Sequence, residues 1–190
     1  MARWDPNASG RLVDAALELF AQQGFSDTTV PQIAARAGVT TRTFFRYFAD
    51  KREVLFGGEQ ELATVIADLI ADAPSELAAL AAVEHALLAA AESEFEPRRA
   101  ELRRWREVVD ADDALQERGA HKQRQLIAAA AQALRGRGVD IPTGELAAGV
   151  AFIAFQAAAT QWHQDHEARR PLSHYVDDAF AQMRRMLSGA

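Results

Sequence analysis

Between Thr40 and Phe48 the chain reads TTRTFFRYF, and these nine residues limit the possible folds more than any other stretch. A helix buried on all sides cannot hold Arg42 and Arg46, and one open on all sides gains nothing from so many rings. Phe44 and Phe48 are four apart, so a helix puts them on one face, set to pack against Leu19, Phe20 and Ile33. The other face then carries Thr41, Arg42, Phe45 and Arg46, flanked by Thr43 and Tyr47. Upstream, Ala34 is small where two helices must approach, and Gly38-Val39 supplies a turn, which outlines a helix-turn-helix. Arginine matches guanine O6 and N7, threonine a base or a phosphate, and a ring the thymine methyl. The outer face therefore has the profile of a recognition helix in a DNA major groove. The competing reading is a plain amphipathic helix with solvated arginines, since many helical domains contain such a corner.

The rest of the chain extends that corner into an all-α fold of about nine helices. Alanine is abundant, proline and glycine are sparse, and sustained period-two alternation is absent. The punctuation predicts helices from Asp5-Pro6 to Gly24, from Thr29 to Ala37, from Thr40 to Phe48 and, as one piece, from Asp50 to about Ala73. Further helices are predicted at about 75–94, 98–110, 113–136, 143–165 and 172–188. The predicted organisation is a helix-turn-helix domain over residues 1–49 and a larger helical body over 50–190. A chain of 190 residues is long enough for both.

Charge is unevenly spread. Overall the chain carries −6, but residues 1–56 sum to +1 and the remainder to −7. Within Thr41 to Arg52, four cations (Arg42, Arg46, Lys51 and Arg52) face only Asp50, so a polyanion would be met at that corner. There is no cysteine, which removes disulfides and thiolate chemistry and suits a reducing compartment. The N-terminus shows no apolar leader segment, and a cytoplasmic location is expected. Leu146 to Gln164 runs 19 residues without a formal charge. Its alanines and glutamines suit a helix buried among others better than a membrane span.

The run RLVDAALELFAQQGFSDTTVPQIAARAGVTTRTFFRYFADKREVLF, Arg11 to Phe56, resembles the N-terminal DNA-binding domain of the TetR family of transcriptional regulators. The resemblance rests on Ala16, Phe20, Gly24, Thr28-Thr29, Ile33-Ala34, Ala37-Gly38-Val39, Thr43, Phe48, Lys51 and Leu55. It implies that Thr29 caps the second helix and donates to a phosphate. Thr41, Arg42 and Arg46 would face bases or backbone, Thr43 and Tyr47 would meet phosphates, and Lys51 would pair with a phosphate at the start of the fourth helix. Phe45 departs from the family's usual tyrosine and offers an apolar contact in place of a hydrogen bond. Pro31 removes a side chain that in relatives reaches DNA.

The resemblance also implies a homodimer built on the last two helices and an effector pocket in the body. Leu172, Val176, Phe180, Met183 and Leu187 form one stripe. The preceding helix contributes Val150 and Ile153 on an alanine-rich frame. Val150, Ile153, Val176, Phe180, Met183 and Leu187 are thus the expected interface residues. Large or polar residues on small-residue helices are the expected ligand contacts: His85, Phe95, Trp105, Phe152, Gln156 and Trp162. The expected effector is a small amphipathic or apolar molecule.

Two other function classes compete. A helical enzyme would need a nucleophile and base, a phosphate loop or a His-Glu-x-x-His motif, and the sequence has none. An architectural protein that has lost DNA binding would be consistent only with Phe45 and Pro31. No metal or cofactor is expected; His163, Asp165, His166 and Glu167 gather at a helix end where solvation is the simpler reading. The expected function is a ligand-released repressor that binds a palindromic operator.

Overall fold

Side-chain caps open several of the helices: Thr29, Thr40 and Asp140 accept from the N–H groups of Gln32, Thr43 and Thr143. The computed structural model describes residues 8–57, 59–167 and 169–189, so the expected cap at Asp5-Pro6 lies outside the described residues. Ten α-helices are present among them: α1 (Ala8–Gln23), α2 (Val30–Arg36), α3 (Thr41–Tyr47), α4 (Glu53–Phe56), α5 (Glu59–Ala71), α6 (Ala79–Ala90), α7 (Arg99–Asp110), α8 (Asp113–Gly136), α9 (Ile141–Gln164) and α10 (Leu172–Ser188). Among the described residues no strand forms.

The helix expected to run unbroken from Asp50 to Ala73 is divided. α4 ends at Phe56, and Gly57 leaves the helical region. A Cβ at Gly57 would sit 2.7 Å from the Glu53 carbonyl oxygen and 3.1 Å from the Phe48 ring, so this turn admits only glycine without a shift. α6 gives way to a π-helical turn, Ala91–Phe95, and a 3-10 turn, Glu96–Arg98, before α7 begins. Pro97 inside that turn cannot continue an α-helical ladder.

The chain packs as two compact units, and their boundary differs from the expected division at residue 49. The first unit is Met1–Glu59 together with Ala100–Ala120; the second is Gln60–Arg99 and His121–Ala190. In the first unit, Leu12, Ala16, Leu19 and Phe20 of α1 meet Ile33, Phe44 and Phe48 in one core, which also takes in Val108, Val109 and Leu115. Trp105 packs against that core, donates from Nε1 to the Leu55 carbonyl at 2.8 Å, and meets the Phe56 ring edge-on. Residues from α7 and the start of α8 therefore belong to the helix-turn-helix unit. Their contacts lie some fifty residues away in sequence, and local periodicity carries no trace of them.

In the second unit α9 packs against α6 and α10. Ala148, Ala151, Phe152, Phe155, Ala158 and Trp162 are buried, so one face of the long uncharged run of α9 is interior. Arg137 binds the carbonyls of Ile70, Ala71, Ala73 and Pro74, which satisfies acceptors left free where α5 ends. A second polar knot ties the start of α10. Arg99 reaches the Asp165 carboxylate and the carbonyls of Trp162 and Arg170, while Glu96 accepts from Trp162 Nε1 and the Leu172 N–H.

Candidate functional site

The α2–turn–α3 corner is set by two threonine caps and one glycine. Thr29 has an extended backbone, and its hydroxyl accepts from the Gln32 N–H while the Gln32 side chain accepts from the Thr29 N–H, a reciprocal capping box. Gly38 takes φ +69°, the left-handed conformation that turns the chain between the two helices. Thr40 caps α3 by accepting from the Thr43 N–H at 3.1 Å.

α3 then divides as its sequence requires. Phe44 is fully buried and Phe48 nearly so, with ring centroids 5.6 Å apart. Arg42, Phe45 and Arg46 are exposed, and Thr41, Thr43 and Tyr47 are half-buried beside them. Phe45 is 55% exposed and is steadied by an edge-on contact with Phe44. A ring left in water costs free energy until an apolar partner covers it. Arg46 lies over the Tyr47 ring and donates to its hydroxyl at 3.1 Å. Arg42 makes no hydrogen bond or ion pair among the described residues.

Two expected phosphate contacts have other partners. The Lys51 ammonium, expected at a phosphate, donates to the carbonyls of Phe25, Thr28 and Ser26 at 2.7, 2.9 and 3.1 Å. It also lies 4.3 Å from the centroid of the Phe25 ring. An ammonium has three donors, and all three are engaged, so Lys51 clamps the α1–α2 loop rather than facing a polyanion. The Thr29 hydroxyl gives its proton to Gln32 Oε1 at 2.9 Å, although the residue is exposed. Arg52 is paired with Asp50 at 3.2 Å, and Arg36 with Glu18 at 2.9 Å. Burial acts to raise the Asp50 carboxyl, but the N–H groups of Glu53 and Arg52 and the Arg52 side chain together hold it below the usual range. The cationic surface that remains is narrow: Arg42 and Arg46.

In the second unit the expected ligand contacts do not converge. His85 is exposed on α6, Gln156 is exposed and accepts from Gln123, and Trp105 belongs to the first unit's core. Phe152 and Trp162 are buried in packing, and Phe95 meets Phe155 edge-on at 5.2 Å. An open cleft lies elsewhere, along α8 and the start of α9, and none of the six lines it.

The expected interface is likewise split. Val176 and Phe180 are fully buried and Met183 nearly so within one chain, which corrects their assignment to a subunit contact. Ile153 and Leu187 are 67% and 74% exposed, and Val150 is half-buried. Leu146 and Met186, which the sequence reading missed, are exposed as well. Leu146, Val150, Ile153 and Ala157 follow one another at i, i+4, i+7 and i+11 and make an uncharged outer face on α9. The same spacing could have revealed it.

The family model described as bacterial regulatory proteins, tetR family, matches residues 12–56. MftR of Mycobacterium tuberculosis, named as a mycofactocin biosynthesis transcriptional regulator, is 38% identical over 76 residues, 40% of this chain and 38% of that protein. The transcriptional regulator TcmR of Streptomyces glaucescens is 57% identical over 44 residues, 23% of this chain and 20% of its own. The chain thus spans well under half the length of these curated relatives, and the family model matches the helix-turn-helix region. Among solved structures, SmeT in complex with triclosan superposes with a TM-score of 0.65 at 20% identity, over 92% of this chain and 90% of that one. FadR of Thermus thermophilus with lauroyl-CoA does so with a TM-score of 0.55 at 22% identity, over 95% and 94%. At such identities the likeness is one of fold, and it extends over both units. Residues 12–56 thus carry the helix-turn-helix domain of the tetR family of bacterial regulatory proteins.

Proposed function

We infer that the protein is a transcriptional repressor that binds a palindromic DNA operator as a homodimer and is released by a small amphipathic or apolar effector held in its second unit. The observation that carries this reading is the outer face of α3, where Arg42, Phe45 and Arg46 are exposed while Phe44 and Phe48 anchor the helix in the core. Arg42, unpaired, is suited to a guanine edge, and Arg46 beside Tyr47 to a base or a phosphate. Thr41, Thr43 and Tyr47 border the same face, and Thr29 is exposed at the start of α2. Two-fold symmetry in the protein would match a palindrome. The uncharged face of α9, with Met186 and Leu187 of α10, is the surface that supports a dimer. The protein would act in the cytoplasm as a regulator rather than an enzyme.

The effector part draws on two proteins of the same fold, SmeT with triclosan and FadR with lauroyl-CoA. An effector can shift the protein off DNA only by binding the two states with different affinity. Operator DNA must then weaken effector binding by the same factor. The test is a selection of duplex DNA from a random library, followed by binding of wild type and Arg42→Ala. The selected sites should be palindromic, and Arg42→Ala should lose about 1–3 kcal/mol and relax preference at one or two base pairs. Failure to enrich any site, or unchanged binding by the variant, would refute the reading.

A further inference from the structure

The cleft of the second unit has a volume of about 310 Å3 and runs between α8 and the first turns of α9. Arg124, Ala128, Ala131 and Arg135 line it from α8, at i, i+4, i+7 and i+11 on one stripe, and Ile141 and Glu145 line it from α9. The cleft exists because the middle of the stripe is alanine. At the buried Gly144 the two helices come close: a Cβ there would lie 3.6 Å from the Ala131 carbonyl oxygen. Alanine side chains are too short to fill the space beside that approach, and Ile141 is left 49% exposed.

Charge gives the cleft a direction. The Arg124 guanidinium makes no hydrogen bond or ion pair among the described residues. Arg135 donates only to Gln132 Oε1, at 3.1 Å, and Glu145 has no ion-pair partner among them. Two cations and one carboxylate thus surround an aliphatic floor, and Arg124, the cation nearer the N-terminal end of α8, is uncommitted. A planar guanidinium binds a carboxylate through two parallel hydrogen bonds, and an alkyl chain gains by leaving water for such a floor.

We propose that this cleft binds an amphipathic carboxylate, with its head on Arg124 and its alkyl chain over Ala128, Ala131 and Ile141. Arg124 and Arg135 are eleven residues apart, about 16 Å along the helix axis, which suits a chain on the order of ten carbons. The binding claim stands without DNA; only its regulatory meaning, as the site of the releasing effector, rests on the function proposed above.

Calorimetry with decanoate below micelle formation, in the absence of DNA, tests it. Wild type should bind saturably, one molecule per chain, and decyltrimethylammonium, with the same tail and opposite charge, should bind at least about tenfold more weakly. Arg124→Ala should weaken decanoate about tenfold, and Ala128→Phe, at an exposed position, should abolish binding while leaving the thermal melt unchanged. No saturable binding of decanoate, equal affinity for the two head groups, or undiminished binding in either variant overturns the proposal. A cleft covered by a second copy of the chain would give the first of these results. Because operator binding is measured separately, neither outcome alters the test of the DNA reading.

Discussion

Replacing Lys51 with methionine separates a loop clamp from a phosphate contact. The change keeps an unbranched apolar stem and removes the ammonium. Three hydrogen bonds, to the carbonyls of Phe25, Ser26 and Thr28, are lost together with the contact over the Phe25 ring. A hydrogen bond to a charged group contributes about 1.5–3 kcal/mol, but Lys51 is half-exposed and water can replace the ammonium, so the total is about 2 kcal/mol rather than the sum. For a chain of this size about 2–4 °C is lost per kcal/mol, so the melting temperature followed by far-UV circular dichroism should drop by about 4–8 °C. Operator affinity should fall as the loop before α2 loosens, yet the dependence of log K on log salt should keep its slope, because no phosphate loses a cation. An unchanged melt combined with a slope reduced by about one would show that Lys51 serves DNA and that the clamp reasoning is wrong.

Four further substitutions address other parts of the account. Ile153→Glu, on the outer face of α9, should leave the chain folded and monomeric by sedimentation, and a folded dimer would place the association elsewhere. Phe180→Glu puts an unpaired carboxylate at a fully buried position and should cost about 3 kcal/mol or more and unfold the second unit, so a stably folded variant would contradict its place in the core. If Phe45 covers a thymine methyl, replacing that thymine with deoxyuridine should cost wild type about 0.8 kcal/mol and Phe45→Ala nothing, and equal losses in both would exclude the contact. Burial acts to raise the Asp165 carboxyl, but hydrogen bonds from the Arg170 N–H, the Tyr175 hydroxyl, the Arg169 N–H and Arg99 outweigh it and hold the group below 3.8. A depressed carboxyl adds stability above its unfolded value and withdraws it as pH falls through the folded one. The gap in urea midpoint between wild type and Asp165→Asn should therefore narrow below pH 3.8, and a constant gap would exclude the linkage.

The parts of the fold that were legible in the sequence are those set within a few residues. Thr29, Thr40 and Gly38 act on neighbours three or four positions away, so the corner they form could be read directly, as could the opposite faces of α3. Periodicity also located α8 and α10 to within their observed ends. It marks an apolar stripe without naming what covers it, however, and this is why Val176 and Phe180 were assigned to a partner when α9 and α6 of the same chain bury them. Leu146 and Met186 were passed over for the same reason. Lys51 could not be placed because its acceptors are backbone carbonyls, which look alike in every sequence. Trp105 was misplaced because its partner, the Leu55 carbonyl, is fifty residues away. The turn at Gly57 needs glycine because a Cβ there would meet the Glu53 carbonyl and the Phe48 ring, which only the folded turn reveals.

The most direct test of the central claim is a hydroxyl-radical footprint of the wild-type protein and of Arg42→Ala/Arg46→Ala on a selected operator. If α3 of each subunit enters successive major grooves on one face of the duplex, wild type should protect two half-sites about 34–36 Å apart, centre to centre. The double variant, folded by its melt, should protect neither. Protection that survives in the variant, or a wild-type footprint without that spacing, would contradict the assignment of α3 as the element that reads DNA.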